Sequence, residues 1–568
     1  MQTVSSSLRV APAKLGVPRI TRMRSVSELA ESLQLGSDEV HAVGRFAGKV
    51  AVSAVGERLR AGHRGKLVLV TGMTPTKHGE GKTVTSIGLA DGLHRIGQRA
   101  VPCLRQPSLG PVFGVKGGAT GGGRSTVEPS GEINLGFTGD IHAIAAAHNL
   151  LAAMVDNHLF HGNALGIDPA RIVWPRTVDL DDRALRHITV GRGPDPRFVA
   201  HEGSFLITAA SEVMVILALA RDYADLKARL GRILVAYARD GSAVRASDLK
   251  AAGAMAALLR DALEPNLVQT GEGNPAIIHA GPFGNLAHGT ASHLGIELAL
   301  ATSDYAVVEA GFATELGAEK FVDIVTPNLG VDVDAAVIVA TQRSLRFQGG
   351  ASDDEALRPA PAALERGLEN LGQHLSNLEA MGLGGAVTVA LNRFPGDTPE
   401  EAERLRAFCR TRGVEIVESR PFEEGGDGSV DLAHAVVHAA SLGRRSRPLY
   451  PVGTPPLRQL EMIATRLYGA DGIASAPEAV EDLAHIEAIG ELSGPICVAK
   501  TPLSLSDDPH LRNRPRGFTP TVHRWMRSAG AGFTVALLGT IETMPGLPTR
   551  PAAEQIDLTD DGRIVGVH

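Results

Sequence analysis

Short runs of apolar and β-branched residues recur along the chain, and each run ends in a loop rich in glycine, proline or polar residues. Continuous apolar runs of this length are typical of strands that are buried on both faces, as they are in parallel sheets. The runs span residues 66–71, 276–280, 305–309, 335–340, 386–391, 414–417, 495–498 and 533–537. We therefore expect strands of mainly parallel sheets at these positions.

Segments of helical length lie between several of these runs. Within 81–97, Leu89, Leu93 and Ile96 follow one another at spacings of four and three, and 142–160 shows the same periodicity. Residues 204–233 predict one long helix or two successive helices. The alternation of strands and helices indicates an α/β fold, in which a mainly parallel sheet is flanked by helices and smaller α/β domains are added.

The chain of 568 residues is several times longer than a usual single domain, which predicts several domains. Two segments mark candidate boundaries: 352–361 is acidic and then rich in alanine and proline, and 444–456 contains four prolines. We expect an N-terminal arm over 1–25, a first α/β domain over 26–355, a second over 356–450 and a third over 451–568.

Composition and charge narrow the class of protein. Hydrophobic residues make up 43% and charged residues 21% of the chain, which is typical of a globular protein with a large core. The 56 basic and 63 acidic residues give a net charge of −7 without a basic stripe, so we expect no nucleic-acid partner. The chain lacks an apolar run of about 18 residues and an N-terminal apolar signal core, which predicts no membrane partner and a cytoplasmic location.

A glycine-rich turn follows the first apolar run and opens the helix predicted from residue 81. Glycines let the backbone approach phosphate closely, and amides at a helix N-terminus face anions. We expect Lys82 on the terminal phosphates of ATP and the Thr83 hydroxyl on Mg²⁺, in a P-loop NTPase-like domain over 26–355. A turn that only caps the helix is the alternative. The expected ATP-binding residues are Thr76, Lys77, His78, Gly79, Glu80, Gly81, Lys82 and Thr83.

A second glycine-rich segment follows residues 100–104. It contains seven glycines from Gly110 to Gly123, together with the cations Arg105, Lys116 and Arg124. Flexible linkers are typically polar and uncharged. The interleaved cations therefore favour a loop folded against an anion over a flexible surface loop.

Several long motifs together resemble the signature of the formate–tetrahydrofolate ligase family. They are the turn at 74–82, the segments 105–128 and 133–140, the motifs at 265–270, 279–289 and 309–321, and the C-terminal motifs at 499–501, 504–509 and 543–548. Such enzymes join formate to tetrahydrofolate with ATP, through formyl phosphate, and release 10-formyltetrahydrofolate, ADP and phosphate. The resemblance implies these substrates, Lys82 and Arg105 as catalytic residues, magnesium at Thr83, a response to potassium or ammonium, and a homotetramer.

The family stacks the pterin ring between two aromatic side chains. The matching positions here are Phe394 and Phe422, on loops of the 356–450 domain, although the family usually has tryptophan at the second. A phenylalanine face also stacks on a flat heterocycle; two core phenylalanines are the alternative. The other cleft candidates are Gln106, Arg124, His279, Asn285, His288 and Glu309. Either histidine, or Glu309, could equally be structural.

The chain departs from the family pattern at several of these positions. Gln106 stands in place of glutamate, Arg124 in place of tyrosine, Gly136 in place of histidine and Leu206 in place of aspartate, while Lys77 adds a cation to the phosphate turn. These changes predict a more electropositive site. The alternatives are therefore a divergent paralogue that acts on another acid or folate derivative, and a weakly catalytic folate- or nucleotide-binding protein.

Overall fold

The computed structural model describes residues 23–60, 62, 64–539 and 541–567. Most of the expected N-terminal arm, residues 1–22, lies outside the described residues. The first helix, Val26–Ser32, begins at Ser25, whose hydroxyl accepts a hydrogen bond from the Glu28 amide while the Glu28 carboxylate accepts one from the Ser25 amide. This reciprocal capping box satisfies two of the amides that a helix leaves unpaired at its start.

A twelve-stranded sheet forms the centre of the molecule. Its strands are β1 (Val40–Val43), β2 (Ala47–Val50), β3 (Lys66–Gly72), β4 (Ala100–Leu104), β5 (Gly121–Gly122), β6 (Ser125–Glu128), β7 (Asn266–Thr270), β8 (Pro275–Ile278), β9 (Tyr305–Glu309), β10 (Ala335–Ala340), β11 (Val387–Asn392) and β12 (Glu415–Ser419). The main path is β1-β2-β7-β8-β4-β9-β3-β10-β11-β12, and β6 joins β5 to β7. Neighbours from β8 to β12 along this path are parallel, so the expected mainly parallel sheet is confirmed.

Strand β3 shows why apolar runs build this sheet. Leu67 and Leu69 pack into the largest apolar cluster on one face, whereas Val68 and Val70 pack into a second cluster on the other face. Side chains of a strand alternate between faces, so both faces of β3 need apolar residues when helices cover both sides. The helix Lys82–Arg95 covers the second face together with Val430–Ser441.

Helices begin close to where the periodicity predicts them. The helices Lys82–Arg95 and Asp140–Phe160 confirm the predictions for 81–97 and 142–160. The other α-helices longer than five residues are Val52–Arg60, Glu212–Leu219, Tyr223–Arg232, Ala252–Leu258, His293–Thr302, Gln342–Gln348, Pro361–Ala380, Pro399–Thr411, Val430–Ser441, Pro456–Ile463 and Pro477–Ala488. No helix among the described residues is long and apolar enough to cross a membrane.

The helix prediction for 204–233 is correct only in its second part. Phe205–Ile207 is a strand paired in parallel with Arg176–Val178, and helices follow only at Glu212–Leu219 and Tyr223–Arg232. The hydroxyl of Ser211 and the carboxylate of Asp222 cap the two helices, and such side chains accept from amides at helix starts. Each cap starts a new helix within this apolar segment. Periodicity alone therefore predicts a longer helical segment than the structure has.

Smaller sheets complete the architecture. Three of them pair Ile188–Val190 with His201–Gly203, Ala474–Ser475 with Thr521–Val522, and Asp557–Leu558 with Ile564–Val565. In another, Leu234–Ala238 is the central strand between Ile167–Ile172 and Ala243–Arg245. The predicted strands near 495–498 and 533–537 form Ile496–Ala499 and Phe533–Leu537, which are parallel neighbours in a separate sheet with Arg524–Ser528. The central sheet continues across residues 355 and 356, since β11 and β12 pair with its other strands.

Candidate active site

One edge of the central sheet collects the polar residues that follow its strands. Strands β4, β9, β3, β10 and β11 are parallel neighbours, so their carboxyl ends lie at the same edge. Arg105 follows β4, Glu309 ends β9, and the phosphate turn follows β3. Ligands of open α/β sheets bind beyond such an edge. Three segments that are far apart in the sequence therefore lie at one edge of the sheet.

The phosphate turn bends sharply at two glycines before its helix begins. Gly79 and Gly81 have φ angles of 73° and 80°, in the left-handed region that glycine enters without strain. A Cβ on Gly81 would also lie 2.3 Å from Asn392 Nδ2. Both a positive φ and close packing therefore require glycine at Gly81, directly before Lys82 opens the helix.

Glu80 holds this turn from inside. Its Oε1 accepts hydrogen bonds from the amide and hydroxyl of Thr76, at 2.9 and 2.7 Å, and its Oε2 accepts one from Thr341 Oγ1 at 2.6 Å. Asn392 Nδ2 donates to the Glu80 carbonyl at 3.0 Å. Glu80 thus ties the turn to the end of β10 through its buried carboxylate and to the end of β11 through its backbone carbonyl. The sequence predicts Glu80 as an ATP-binding residue, but its carboxylate accepts hydrogen bonds from Thr76 and Thr341 and so fixes the shape of the turn.

Lys82, Thr83, Arg105 and Glu309 meet beyond this turn. The Thr83 hydroxyl donates to Glu309 Oε2 at 2.7 Å, and Arg105 Nη2 lies 3.9 Å from Glu309 Oε1. Burial lowers the pKa of the Lys82 ammonium, while the carboxylates of Glu309 and Glu80 raise it and Arg105 lowers it. Burial also lowers the pKa of Arg105, which Glu309 opposes. A lysine and an arginine therefore lie around one carboxylate at the start of a helix.

Lys116 belongs to the same charged group. Surrounding protein lowers the pKa of its ammonium, Arg105 and Lys82 lower it further, and Glu309 raises it. Lys82, Arg105 and Lys116 carry more positive charge than Glu309 neutralises, and a helix N-terminus adds partial positive charge. The arrangement favours a polyanion such as the phosphates of a nucleotide.

The second glycine-rich segment packs against the loop that carries Phe422. Gly123 has a φ of 60°, and a Cβ there would lie 2.0 Å from the Phe422 carbonyl oxygen. The Arg124 amide donates to the same carbonyl at 2.9 Å, and Ser125 Oγ donates to the Pro421 carbonyl at 2.9 Å. The segment is thus a folded loop, whereas its contact with an anion stays a prediction. Arg124 contacts the Phe422 loop through its backbone amide.

The two expected folate-stacking residues follow neighbouring parallel strands. Phe394 comes two residues after the end of β11, and Phe422 comes three residues after the end of β12. Phe422 is 49% exposed and Phe394 is half-buried. The guanidinium carbon of Arg343 lies 4.5 Å from the centroid of the Phe394 ring. Neither phenylalanine is a fully buried core residue.

The loop after β8 holds the other histidine and asparagine candidates. His279 is buried between the Ser292 hydroxyl at 2.6 Å and the Ala262 carbonyl at 2.7 Å, and burial lowers its pKa to about 4. Its two ring nitrogens are therefore occupied within the protein. Asn285 Oδ1 accepts from the Lys500 amide at 3.1 Å.

Two buried side chains near Arg105 lack hydrogen-bond partners among the described residues. They are the Gln106 amide and the ring of His288. Burial lowers the pKa of His288 to about 3, helped by the charges of Arg105, Lys320 and Arg229, so the ring is neutral. A buried polar group without a partner costs about 1–3 kcal/mol. Both positions are therefore suited to a bound ligand or water.

Some expected residues lie away from the charged group. Lys77 is 66% exposed and its ammonium lies 3.6 Å from Asp353, while the exposed His78 donates its amide to Thr76 Oγ1. Sequence reasoning missed three residues that hold the turn: Thr341, Arg343 and Asn392. All three follow or end strands β10 and β11, so the rule that sites lie at carboxyl ends of strands was the signal that could have found them.

Comparisons with known proteins agree with this geometry. The family model described as formate–tetrahydrofolate ligase matches residues 13–568. A formate–tetrahydrofolate ligase of Thermus thermophilus is 51% identical over 542 residues, which cover 95% of this chain and 98% of the relative. Those of Symbiobacterium thermophilum and Myxococcus xanthus are each 49% identical, over 97% and 96% of this chain and 99% of each relative. The chain belongs to the formate–tetrahydrofolate ligase family.

Proposed function

We propose that this chain joins formate to tetrahydrofolate at the expense of ATP, through formyl phosphate, and releases 10-formyltetrahydrofolate, ADP and phosphate. The observation that carries the proposal is the meeting of Lys82, Thr83, Arg105 and Glu309 at one edge of the sheet. The names of the relatives favour this reaction over another acid, another folate derivative or binding alone, since they share about half of their residues with this chain over nearly its whole length.

The first step forms a bond between a formate oxygen and the γ-phosphorus and breaks the bond to the bridging oxygen of ADP. Negative charge lies on phosphoryl oxygens throughout such a transfer, so charges and dipoles held in place are the main requirement. Lys82 and Arg105 supply the cations, and the amides of Gly79 and Gly81 supply dipoles. The buried bonds of Glu80 keep the turn in this shape before substrate arrives.

Thr83 and Glu309 are the residues that would hold magnesium. Their hydroxyl and carboxylate oxygens lie 2.7 Å apart at the start of the helix, and magnesium prefers such oxygen ligands. A bound magnesium ion supplies positive charge to phosphate oxygens. The remaining Glu309 oxygen faces Arg105 and orients its guanidinium.

The second step forms a bond between the folate amine and the formyl carbon, and phosphate leaves as the carbon–oxygen bond breaks. Phe394 and Phe422 bind the pterin ring, because aromatic faces stack on flat heterocycles. We assign Gln106, Arg124, His279, Asn285 and His288 to the same cleft, with His279 acting only through the loop that it anchors. The unpaired amide of Gln106 and ring of His288 offer neutral donors and acceptors to substrate.

Four broader predictions accompany this function. The domain over 26–355 is P-loop NTPase-like; residues 356–450, which add β11 and β12 to its sheet, and residues 451–568 form the further domains. Potassium or ammonium activates the enzyme. The active form is a homotetramer. The enzyme works in the cytoplasm.

Release of ADP by the purified protein tests the function. We expect ADP with ATP, magnesium, formate and tetrahydrofolate together, and a large decrease when formate or the folate is omitted. Release with another carboxylic acid in place of formate would support the divergent paralogue. Binding of nucleotide and folate without turnover would support the binding protein. The Lys82→Ala variant is the control for contaminating ATPase.

A further inference from the structure

Arg343 joins two parts of the molecule that the proposed reaction uses separately. It is the second residue of the helix Gln342–Gln348, which follows β10 and is capped by Thr341. Its Nη2 donates a hydrogen bond to the Gly79 carbonyl in the phosphate turn and lies 3.4 Å from Glu80 Oε2. The side chain is only 11% exposed. The guanidinium is therefore packed beneath the turn.

The same guanidinium covers one face of Phe394. Its carbon lies 4.5 Å from the ring centroid, within the range of a cation–π contact. Phe394 itself is held by its amide, which donates to Asp397 Oδ2 at 2.9 Å. One flat group thus touches the turn on one side and the ring on the other.

The position of the Arg343 guanidinium depends on both the phosphate turn and the Phe394 ring. Its Nε is buried and has no hydrogen-bond partner among the described residues. Its position is set by the Gly79 carbonyl, the Glu80 carboxylate and the Phe394 ring together. A shift of Gly79 therefore moves the guanidinium relative to the ring, and a shift of the ring moves the guanidinium relative to the turn.

We propose that Arg343 is a positioning residue that couples nucleotide binding in the phosphate turn to folate binding on Phe394. This rests on the proposed function, which places the two ligands there. Nucleotide in the turn holds Gly79, Gly79 holds the guanidinium, and the guanidinium holds the ring with its other face open to the pterin. Coupling between two ligands is reciprocal, so folate strengthens nucleotide binding by the same factor.

Titration of each ligand in the presence and absence of the other tests this coupling. In the unmodified protein, we expect a non-hydrolysable ATP analogue with magnesium to tighten tetrahydrofolate binding about 10-fold, and the folate to tighten analogue binding equally. In Arg343→Met, which keeps an apolar stem against the ring, we expect this factor to fall to within about 2-fold of unity. Binding of each ligand alone should change less than about 3-fold.

Three further variants separate coupling from a merely structural effect. Arg343→Lys keeps the charge and a donor for Gly79, so we expect partial rescue of the coupling factor. Phe394→Leu removes the ring, and the double variant with Arg343→Met should lose no more coupling than either single variant. Arg412→Met is the matched control, because Arg412 lies 4.8 Å over the Phe408 ring in another helix; it should retain full coupling.

The outcomes distinguish the inference from the function on which it rests. If neither ligand binds the unmodified protein, the proposed function is wrong. If both bind and turnover occurs but the coupling factor is unity, or if it stays unchanged in Arg343→Met and Phe394→Leu, the role of Arg343 is wrong. A coupling factor that is lost equally in Arg412→Met would also contradict it.

Discussion

The phosphate turn and the loop that carries Phe422 differ in how they are held. In the turn, hydrogen bonds to two carboxylates hold the functional groups: Glu80 accepts from Thr76 and Thr341, and Glu309 accepts from Thr83. The Phe422 loop is held through its backbone by Arg124, whereas the ring itself is about half exposed.

This difference follows from the two kinds of chemistry. Phosphoryl transfer gains from charges that need no rearrangement as the reaction proceeds. Stacking of a flat ring depends on contact area and tolerates small shifts of the partner. Substitutions in the turn should therefore lower kcat, and substitutions of the exposed ring should mainly raise KM for the folate.

Replacement of Lys82 should have the largest effect. In Lys82→Ala, we expect kcat for ADP formation to fall about 1,000-fold, since a cation on the phosphoryl oxygens contributes about 3–4 kcal/mol to the transition state. The melting temperature should not fall, because burial already disfavours this charge in the folded protein. A variant that keeps more than a tenth of its kcat would contradict the role of the turn.

Replacement of Glu309 should have the next largest effect. Glu309→Gln keeps the shape and an acceptor for Thr83 but removes the charge that faces Arg105. We expect about a 100-fold loss in kcat, of the size found when one charge-stabilising contact is removed. Single-turnover ADP release measures this. An unchanged kcat with a raised KM for folate would show that Glu309 serves folate binding rather than phosphoryl transfer.

Truncation of Phe422 should affect folate binding alone. We expect Phe422→Ala to raise KM for tetrahydrofolate about 5-fold, which corresponds to the roughly 1 kcal/mol of an aromatic contact, with kcat within about 2-fold. Phe422→Trp, with a larger face, should lower this KM. A loss of kcat in Phe422→Ala with an unchanged KM would show that both regions serve the transfer step.

Acid should lower the stability of the folded protein through its buried histidines. Burial lowers the pKa of His288 to about 3, so the ring is neutral in the folded protein, whereas the unfolded chain binds a proton below about 6.5. The unfolded state then takes up more protons, and stability falls as pH falls from 6.5 towards 3. The loss from one such histidine is about 1 kcal/mol between pH 6.5 and 5.5.

Denaturant unfolding at these two pH values measures the difference. His288→Asn should show a smaller loss of stability on acidification than the unmodified protein. The exposed His434 offers the matched control, since His434→Asn makes the same substitution on the surface of a helix. Equal slopes for His288→Asn and the unmodified protein would contradict a neutral, buried His288.

The smallest effect is expected for Lys77, within the turn itself. Its ammonium lies 3.6 Å from Asp353, and both side chains are exposed, where an ion pair contributes about 0–1 kcal/mol. We expect Lys77→Ala to change kcat and KM for ATP less than about 2-fold. A loss comparable to that of Lys82→Ala would show that the added cation of this chain takes part in phosphate binding.

The sequence predicted the parts of this site that depend on local pattern. An apolar run, a glycine turn and a periodic helix predicted the positions of Lys82 and Thr83. Arg105 and Glu309 lie at the same edge because their strands run parallel to β3. The rule that sites lie at the carboxyl ends of strands marks Thr341 and Asn392 as candidates because they lie at the ends of their strands, but it does not predict that they bond to Glu80. Thr341 and Asn392 lie hundreds of residues away in sequence, and only the strand order brings them to the turn.

The helix prediction for 204–211 is wrong for a related reason. Phe205–Ile207 is a strand because Arg176–Val178 pairs with it, and such a partner leaves no mark in the local periodicity. Gly136 has a φ of 102°, which glycine adopts without strain, and a Cβ there would lie 3.0 Å from the His142 ring, so the structure accounts for glycine at this position. Nothing in the structure explains Leu206.

Transfer of oxygen from formate tests the central claim most directly. With formate labelled by oxygen-18, attack on the γ-phosphorus leaves one labelled oxygen in the released phosphate and none in ADP. We predict about one labelled oxygen per phosphate in the unmodified protein and in Phe422→Ala, and no labelled phosphate above background in Lys82→Ala. Unlabelled phosphate from the unmodified protein, or full labelling in Lys82→Ala, would contradict transfer at this turn.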